Sequence, residues 1–194
     1  MSFIPFDEFV NVARVPRDTM VRYADVVEPA VLQMWAIHGY GMTAGGFIKV
    51  IDPDRYRAMI GDYLPRPQMI PLLATGMGDI VVAYSGVYRV LQYRYATVCG
   101  GIGSSLARFA RRAADPEYLA EFLACGPYTE AARLRGALTD VSDFDDVYGY
   151  ALPLPLPAGG VEHVSNVSRM RIFEHIAVIN ELTGPIPFAG EAPH

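Results

Sequence analysis

Closely spaced glycines, prolines and acids divide residues 28–86 into elements of a few residues each. The first element is a helix that follows Glu28-Pro29, because proline lacks the N–H that a first helical turn leaves unpaired. Apolar side chains and the only tryptophan, Trp35, recur there at helical spacing until Gly39 ends the helix. This stretch contains no arrangement of catalytic side chains, which favours a role in binding over a role in catalysis.

Strand patterns dominate the rest of the first half. Residues 46–51 form a short apolar run, and Asp52-Pro53 then predicts a helix over 53–63, because an aspartate before a proline is a favoured N-cap. Ser85-Gly86 predicts a tight hairpin. Strands are predicted over 70–74, 80–84, 87–93 and 95–99, and a short opening helix over 6–14. The simplest arrangement is an antiparallel meander with helices on one face.

The hydrophobic period becomes helical after Gly103. Helices are predicted from Leu106 to Ala113, from Asp115-Pro116 to Leu123, over 127–138 and over 169–182, with an acidic loop at 140–146, an extended Leu-Pro segment at 151–160 and a strand at 161–167. The predicted fold class is α+β: an antiparallel sheet meander flanked by helices, followed by a mainly helical C-terminal half packed against it. The predicted domains are 1–103 and 104–184, with a flexible tail at 185–194.

Composition places the chain among ordinary folded proteins. Of its 194 residues, 52% are hydrophobic and 19% are charged, so it can bury a core and is not globally disordered. The first residues lack the basic and apolar regions of a signal peptide, and no apolar run approaches the length that spans a bilayer. The two cysteines, Cys99 and Cys125, are expected to be buried free thiols. These features predict a cytoplasmic protein that does not enter a membrane.

Acidic residues are concentrated in the middle of the chain. The formal net charge is −5, but residues 115–162 carry nine acidic and two basic residues, a local charge of −7. Nucleic-acid binding needs clustered cations, so this balance argues against a nucleic-acid partner. An acidic segment either keeps a small protein soluble or faces a basic partner protein.

The sequence GGIGSS at residues 100–105 follows a predicted strand and opens a helix. Dinucleotide-binding loops have this placement, but Leu106 stands where a glycine or alanine belongs, and hairpins replace the expected βαβ unit. A structural turn with a serine N-cap is therefore favoured. A small nucleotide- or ligand-binding enzyme that uses Gly100 to Ser105 is the alternative function.

The four histidines form no catalytic or metal-binding pattern. His38 and His175 lie on apolar helical faces, which favours core or boundary positions, while His163 beside Glu162 is expected at the surface and His194 ends the chain. No pair of them has the i, i+4 spacing of a helical metal site. We therefore predict no catalytic residue, no metal and no cofactor.

Particular residues follow one another in a recognisable order. In the first half these are Trp35 in its helix, Gly39-Tyr40-Gly41, Gly45-Gly46-Phe47, Asp52-Pro53 with Tyr56, and Gly76-Met77-Gly78-Asp79. In the second half they are Gly136-Ala137-Leu138, the acidic run ending in Tyr148-Gly149-Tyr150, Leu152-Pro153 through Gly159-Gly160, and Glu174-His175 with Ile176. The first set resembles the GAD-like domain of bacterial immunity proteins. The second set resembles the small helical domain that follows it in the type VI secretion DNase-immunity family.

The resemblance extends over about residues 5–182. It implies an intracellular antitoxin that binds and inhibits a cognate secreted toxin, often a nuclease, in cells that make the toxin. The expected partner is the toxin protein, and the oligomeric state is left open. A regulatory binding module without a toxin partner is a further alternative.

The candidate partner-binding residues follow from this expectation. A nuclease cleft must attract phosphate and is therefore basic, so an acidic loop can compete there with the substrate. Tyrosine is favoured at interfaces because it combines a large area with a polar tip. Tyr40, Tyr148 and Tyr150 lie on predicted turns, where exposure is plausible, and packing in the core is the open alternative for Tyr148 and Tyr150. The candidates are Asp140, Asp143, Asp145, Asp146, Tyr40, Tyr148 and Tyr150.

Overall fold

Seven strands of one antiparallel sheet follow one another in chain order, each beside its predecessor. The computed structural model describes residues 3, 5–150 and 154–188, and the strands are counted in this part of the chain. They are β1 (Val10–Ala13), β2 (Tyr40–Thr43), β3 (Ile48–Val50), β4 (Ile70–Thr75), β5 (Ile80–Tyr84), β6 (Val87–Gln92) and β7 (Thr97–Gly103). The predicted meander is confirmed.

Helices lie between strands of this sheet and after its last strand, which confirms the α+β class. They are α1 (Arg17–Tyr23), α2 (Pro29–His38), α3 (Pro53–Ile60), α4 (Leu106–Arg112), α5 (Pro116–Leu123), α6 (Gly126–Arg135) and α7 (Ile172–Thr183). A separate antiparallel pair joins β8 (Asp146–Gly149) to β9 (Ser168–Arg171). The caps that the sequence predicts are formed: the Asp52 carboxylate accepts hydrogen bonds from the amides of Asp54 and Arg55.

The opening helix predicted over 6–14 is wrong. Residues 10–13 form β1, an edge strand whose side chains alternate between half-buried and exposed and which pairs with β2. Gly39 ends α2 as expected, but Tyr40 and Gly41, expected in a turn, belong to β2, which pairs with β1. A Cβ at Gly41 would lie 2.2 Å from the carbonyl oxygen of Val10, so glycine permits the close approach of the two strands.

The segment after α6 also differs from its prediction. The end of the predicted acidic loop forms β8, and the strand expected at 161–167 lies later, as β9, after a 3₁₀ turn at Val164–Asn166. In the Leu-Pro segment, residues 151–153 lie outside the described residues and Leu156–Ala158 form another 3₁₀ turn. In the predicted flexible tail, Ile186 is buried and the ring of Phe188 packs edge-on against Tyr84; residues 189–194 lie outside the described part.

Both faces of the sheet are buried, whereas the sequence predicted helices on one face. Val81 packs in a cluster that includes side chains of α2, α4, α5 and α6. Its neighbours Ile80 and Val82 pack in a second cluster with side chains of α3 and α7. Because successive strand residues point to opposite faces, a strand covered on both faces is apolar throughout, as β5 is. Both clusters contain residues from either side of the predicted boundary at 99–103, so the two halves share their core.

Lys49 and Arg94 are buried cations that join the sheet to the C-terminal half. The Lys49 amine donates hydrogen bonds to the backbone carbonyls of Asp143, at 3.0 Å, of Phe144, at 2.9 Å, and of Asp146. Burial lowers the pKa of Lys49 to about 8. A buried charge is tolerated only where polar partners replace its water, and here the partners are carbonyls of the 140–149 segment.

Arg94 makes a corresponding connection to the end of α5. Its guanidinium donates to the carbonyls of Leu123, at 2.8 Å, and Ala124, at 3.1 Å, and lies 2.9 Å from the Asp79 carboxylate. The last carbonyls of a helix lack intrahelical donors and carry partial negative charge, so a cation is favoured there. The position of α5 therefore depends on a side chain from the end of the sheet.

A Lys49→Met variant should lose about 3 kcal/mol of unfolding free energy, because a methionine leaves the three carbonyls without a donor. Amide hydrogen exchange should accelerate first in residues 143–149. Arg57→Met is the matched control, since Arg57 is exposed and its guanidinium donates to the carbonyl of Pro67 and not to the 143–149 segment. Unchanged exchange in the 143–149 segment of the Lys49 variant would show that the amine does not hold it.

Candidate functional site

The acidic loop at 140–146 turns most of its charge towards its own chain. Asp143 and Asp146 are buried, and the Arg169 guanidinium lies 2.6 Å and 2.5 Å from their carboxylates. Arg171 lies 3.1 Å from Asp146. Asp145 accepts two parallel hydrogen bonds from Arg55, at 2.8 Å and 2.6 Å.

Three of the four candidate acids are therefore neutralised by cations that the linear sequence places far away. The expectation that the Asp143 and Asp146 carboxylates are free to face a partner is wrong. They are buried in ion pairs that hold the β8–β9 pair and the segment 143–146 around the Lys49 amine. Asp145 is half-buried in its Arg55 pair. Asp140 is exposed and makes no ion pair with any described residue.

The three candidate tyrosines are buried, which excludes the exposed position for Tyr40 and agrees with the core alternative for Tyr148 and Tyr150. Tyr40, Tyr148 and Tyr150 have relative exposures of 5%, 1% and 2%. Tyr40 belongs to β2 and Tyr148 to β8, so regular strands replace the predicted turns. The Tyr148 hydroxyl donates to the carbonyl of Gly136 at 2.7 Å, and burial raises the pKa of Tyr148 and of Tyr150. These side chains support the fold and do not reach a partner.

His175 is buried between two glycines from different halves of the chain. A Cβ at Gly78 would lie 2.3 Å from the imidazole, and a Cβ at Gly149 would lie at the same distance from it. Neither ring nitrogen has a hydrogen-bond partner among the described residues. Burial, and then the nearby charge of Arg94, lowers the pKa of His175 to about 4. The ring is neutral and acts as a spacer between β8 and the turn before β5.

The other described histidines lie where the sequence predicted them. His38 is half-buried beside Phe6, Phe9 and Phe3, and its Nε2 accepts the Phe6 amide at 2.9 Å. Burial lowers its pKa. His163 is exposed and its Nδ1 lies 2.8 Å from the Ser165 hydroxyl. His194 lies outside the described residues.

Residues 100–105 lack the setting of a dinucleotide-binding loop. Residues 100–103 belong to β7, which pairs antiparallel with β6, and Ser105 is the N-cap of α4. The first amide of that helix, at Leu106, donates to the carboxylate of Glu28, which also accepts the Tyr88 hydroxyl at 2.7 Å. A carboxylate of the chain itself therefore occupies the position where a phosphate would bind.

A cavity of about 570 Å³ opens between the N-terminal segment, the turn before β3, and helices α4, α5 and α6. Phe47, Leu119 and several alanines give it a largely apolar wall. Tyr128 forms another part of the wall, where its hydroxyl donates to the Gly45 carbonyl at 2.6 Å and accepts the Leu138 amide at 3.3 Å. Burial raises the pKa of Tyr128 to about 12. These two hydrogen bonds fix the Tyr128 side chain in the wall, and its hydroxyl is not available as an acid or base at neutral pH.

Exposed carboxylates lie at the edge of this cavity and on two of the helices that contribute to its wall. Residues 115–130, which form α5 and the start of α6, carry four acidic residues and no basic one. Glu117, Glu121 and Glu130 are exposed and form no ion pair with a described residue. Asp7 and Glu8 line the cavity from the N-terminal segment and are exposed as well. We call this surface the acidic cavity face: the cavity, Asp7, Glu8 and the exposed acids of residues 115–130.

Backbone strain is concentrated near the same cavity. Glu8 and Ala44, both in its lining, have φ values of 50° and 51°, and Ala124, next to the lining residue Cys125, has 48°. Residues other than glycine adopt this left-handed region at an energetic cost. Strain of this kind at a cavity indicates that its shape is held by the surrounding fold.

The sequence contained one signal for the acidic cavity face. The local charge of −7 predicts an acidic surface, and the density of carboxylates at 140–146 favours that loop as its location. The run without Lys or Arg at 115–130 was the better guide, since no cation within it can neutralise the acids. No local sequence pattern relates Asp7 and Glu8 to that run, because only the tertiary fold places them at a cavity that residues of α5 and α6 also line.

Comparison with known proteins gives a fold relationship. The chain is similar in fold to Atu4351 from Agrobacterium tumefaciens. The crystal structure of Atu4351 aligns with a TM-score of 0.64 at 14% sequence identity, over 91% of this chain and 84% of that chain. No family model matches the sequence, and no curated protein matches it. At this identity the likeness concerns the fold alone.

Residues 3, 5–150 and 154–188 contain neither a membrane-spanning helix nor a metal-binding cluster. No helix there is long and apolar enough to cross a membrane. No three His, Cys, Asp or Glu side chains in the same residues are grouped closely enough to hold a metal ion. Cys99 and Cys125 are free thiols, as expected, and burial raises the pKa of both.

A Gly149→Ala variant should lose about 2 kcal/mol of unfolding free energy, because the new methyl overlaps the His175 ring. In a His175→Ala background the same change should cost at least about 1 kcal/mol less, since the ring is gone. Gly61→Ala is the matched control, because no heavy atom lies within 4 Å of a Cβ there. Additive losses in a chemical denaturation cycle would contradict the packing of His175 on Gly149.

The unfolding free energy should also depend on the charge state of His175. Its folded pKa, about 4, lies below its ordinary value of 6.5, so its contribution is present above pH 6.5 and is lost as the pH falls towards 4. Relative to a His175→Leu variant, the natural protein should lose about 3 kcal/mol across that window. Burial raises the pKa of Asp79 to about 6, so the contribution of Asp79 to the unfolding free energy increases as the pH falls. This contribution is the same in both proteins and cancels when their curves are compared. Parallel curves would show that His175 does not titrate in this way.

Proposed function

We propose that the chain is an immunity protein that binds a cognate secreted bacterial toxin, a nuclease by its expected class, and inhibits it by covering its active site. The observation that carries this proposal is the acidic cavity face: a largely apolar cavity with Asp7 and Glu8 in its lining, and further exposed acids without ion-pair partners in the described chain on α5 and α6. The sequence resemblance to GAD-like immunity proteins supports it independently. The protein would perform no reaction and need no cofactor.

The electrostatics of the acidic cavity face suit a basic partner. A surface that carries unneutralised charge of one sign accelerates encounter with a partner of the opposite sign. The active cleft of a nuclease must be basic to hold phosphate, so it presents the complementary charge. Rigid apolar concavities within such a face supply the affinity that long-range charge does not.

The surface that we propose differs from the loop expected from sequence. Asp143, Asp145 and Asp146 already have partners, and separating them would cost the interactions that hold β8 and β9. Glu117, Glu121 and Glu130 need no such separation, because they are exposed and unpaired within the described residues. They can meet a partner without rearrangement of the fold.

The compartment of action follows from the same proposal. An immunity protein must meet the toxin where the toxin's target lies, and for a nuclease this is the cytoplasm. Two free thiols, one half-buried at Cys99 and one buried at Cys125, are compatible with a reducing compartment. The partner is a protein, and the acidic face would repel nucleic acid and an anionic membrane surface.

Co-expression with the product of the neighbouring gene, which the proposal expects to be the toxin, tests the proposal. Cells that express that toxin should survive only when this protein is present, and a catalytically inactive toxin should bind it with nanomolar affinity, as stable one-to-one complexes do. If the neighbouring product is harmless alone, or kills equally in the presence of this protein, the antitoxin function fails. A harmless neighbour that nevertheless binds tightly would support the regulatory binding module.

Reversing the charge of the acidic cavity face should slow this association. A variant with Glu117→Lys, Glu121→Lys and Glu130→Lys should bind the inactive toxin at least about 10-fold more slowly at low salt, and the difference should shrink as salt is added. The matched control reverses three exposed acids on the other side of the sheet, with Asp62→Lys, Glu174→Lys and Glu181→Lys. Equal association rates for both triple variants in stopped-flow measurements would place the interface elsewhere.

A further inference from the structure

We infer that the cavity of the acidic cavity face receives one large apolar side chain of the toxin, and that a Lys or Arg next to it in the toxin pairs with Asp7 and Glu8. This inference rests on the proposed function and adds to it the chemistry of the segment that the partner inserts.

Small side chains create the space in the cavity. Alanines at 110, 113, 114, 132 and 137 line it, and Phe47 and Leu119 complete an apolar wall. A volume of about 570 Å³ holds a large aromatic or branched side chain with room for the neighbouring backbone. Deep apolar pockets at the centre of an interface are where single aromatic anchors contribute most binding energy. The lining therefore selects an apolar side chain.

The edge of the cavity selects a cation beside that side chain. The carboxylates of Asp7 and Glu8 are exposed and have no partner among the described residues. The segment that carries them is fixed, since the Thr43 hydroxyl donates to the Asp7 carbonyl at 2.7 Å and Glu8 is held at a φ of 50°. Arg111 is the one cation that lines the cavity in the described chain, so carboxylates outnumber cations there.

The extent of the surrounding charge selects a protein as the source of this segment. The acids of residues 115–130 continue the negative surface beyond the cavity along α5 and α6. A small ligand would fill the cavity and leave these acids without partners. A basic protein meets both features at once, because interfaces of standard size cover about 800 Å² on each partner.

A dipeptide probe tests the cavity without the toxin. Acetyl-Trp-Arg-amide, titrated into the ¹⁵N-labelled protein, should bind in the millimolar range and shift the amide resonances of residues 43–47 and 125–132 most. Acetyl-Trp-Glu-amide should bind at least about threefold more weakly, the ratio that one exposed ion pair supports, and acetyl-Gly-Arg-amide should shift nothing. Absence of shifts with the Trp-Arg probe, shifts centred elsewhere, or equal binding of the Arg and Glu probes would each overturn the inference.

Variants that fill the cavity, or reverse the charge at its edge, test whether the dipeptide probe and the toxin bind at the same place. Ala114→Trp and Ala137→Trp replace exposed residues of the lining and should abolish probe binding and weaken binding of the inactive toxin at least about 100-fold, as loss of a hot spot does. Asp7→Lys changes the charge of an exposed residue without filling the cavity. It should remove the preference of the protein for the Trp-Arg probe over the Trp-Glu probe. Ala58→Trp on α3 is the matched control and should change neither measurement.

The outcomes separate this inference from the proposed function. If the natural protein protects cells but both tryptophan variants protect equally well and bind the toxin equally, the cavity is not the anchor site and the antitoxin function stands. If the natural protein gives no protection against the neighbouring toxin, the proposed function fails, and this inference fails with it.

Discussion

Two buried cations of the sheet, Lys49 and Arg94, determine how the second half of the chain is placed. A buried amine or guanidinium must be surrounded by acceptors, and most acceptors here are backbone carbonyls of residues 123–146. The first half therefore cannot bury these charges alone at an acceptable cost. The apolar clusters on both faces of the sheet add the area that keeps the halves together, while the cations fix where the end of α5 and the start of β8 lie. His175, packed between Gly78 and Gly149, sets the remaining spacing.

This arrangement decides which polar groups are left for a partner. The chain uses Asp79, Asp143 and Asp146 to compensate its own cations, and it uses His175 as a neutral spacer. Exposed acids without ion-pair partners in the described residues remain on α5, α6 and the N-terminal segment, and these elements contribute to the wall of the cavity. A protein organised in this way is suited to recognising a complementary surface. The antitoxin proposal joins this surface to the family that the sequence resembles.

Local signals predicted the elements whose causes are local. Asp52-Pro53 and Glu28-Pro29 marked helix starts, and Ser85-Gly86 marked the β5–β6 hairpin, because caps and turns depend on adjacent residues. The sequence could not distinguish β1 from a short helix, since the choice depends on β2, which pairs with it from about thirty residues away. The same limit applies to the candidate site. Asp145 looks exposed beside its neighbours in sequence, but Arg55 is its partner across the fold. Tyr148 and Tyr150 looked like turn residues because the pairing of β8 with β9 has no local signature.

Hydrogen exchange of the protein alone and in complex with the inactive toxin tests the central claim most directly, because it maps the covered surface without any mutation. If the toxin covers the acidic cavity face, amide exchange in the complex is slower at residues 5–8, 43–47 and 115–132. The exchange rates at 143–149 and in α3 and α7 stay unchanged. Slower exchange confined to residues 140–150, or to the face formed by α3 and α7, would contradict the acidic cavity face as the site of binding.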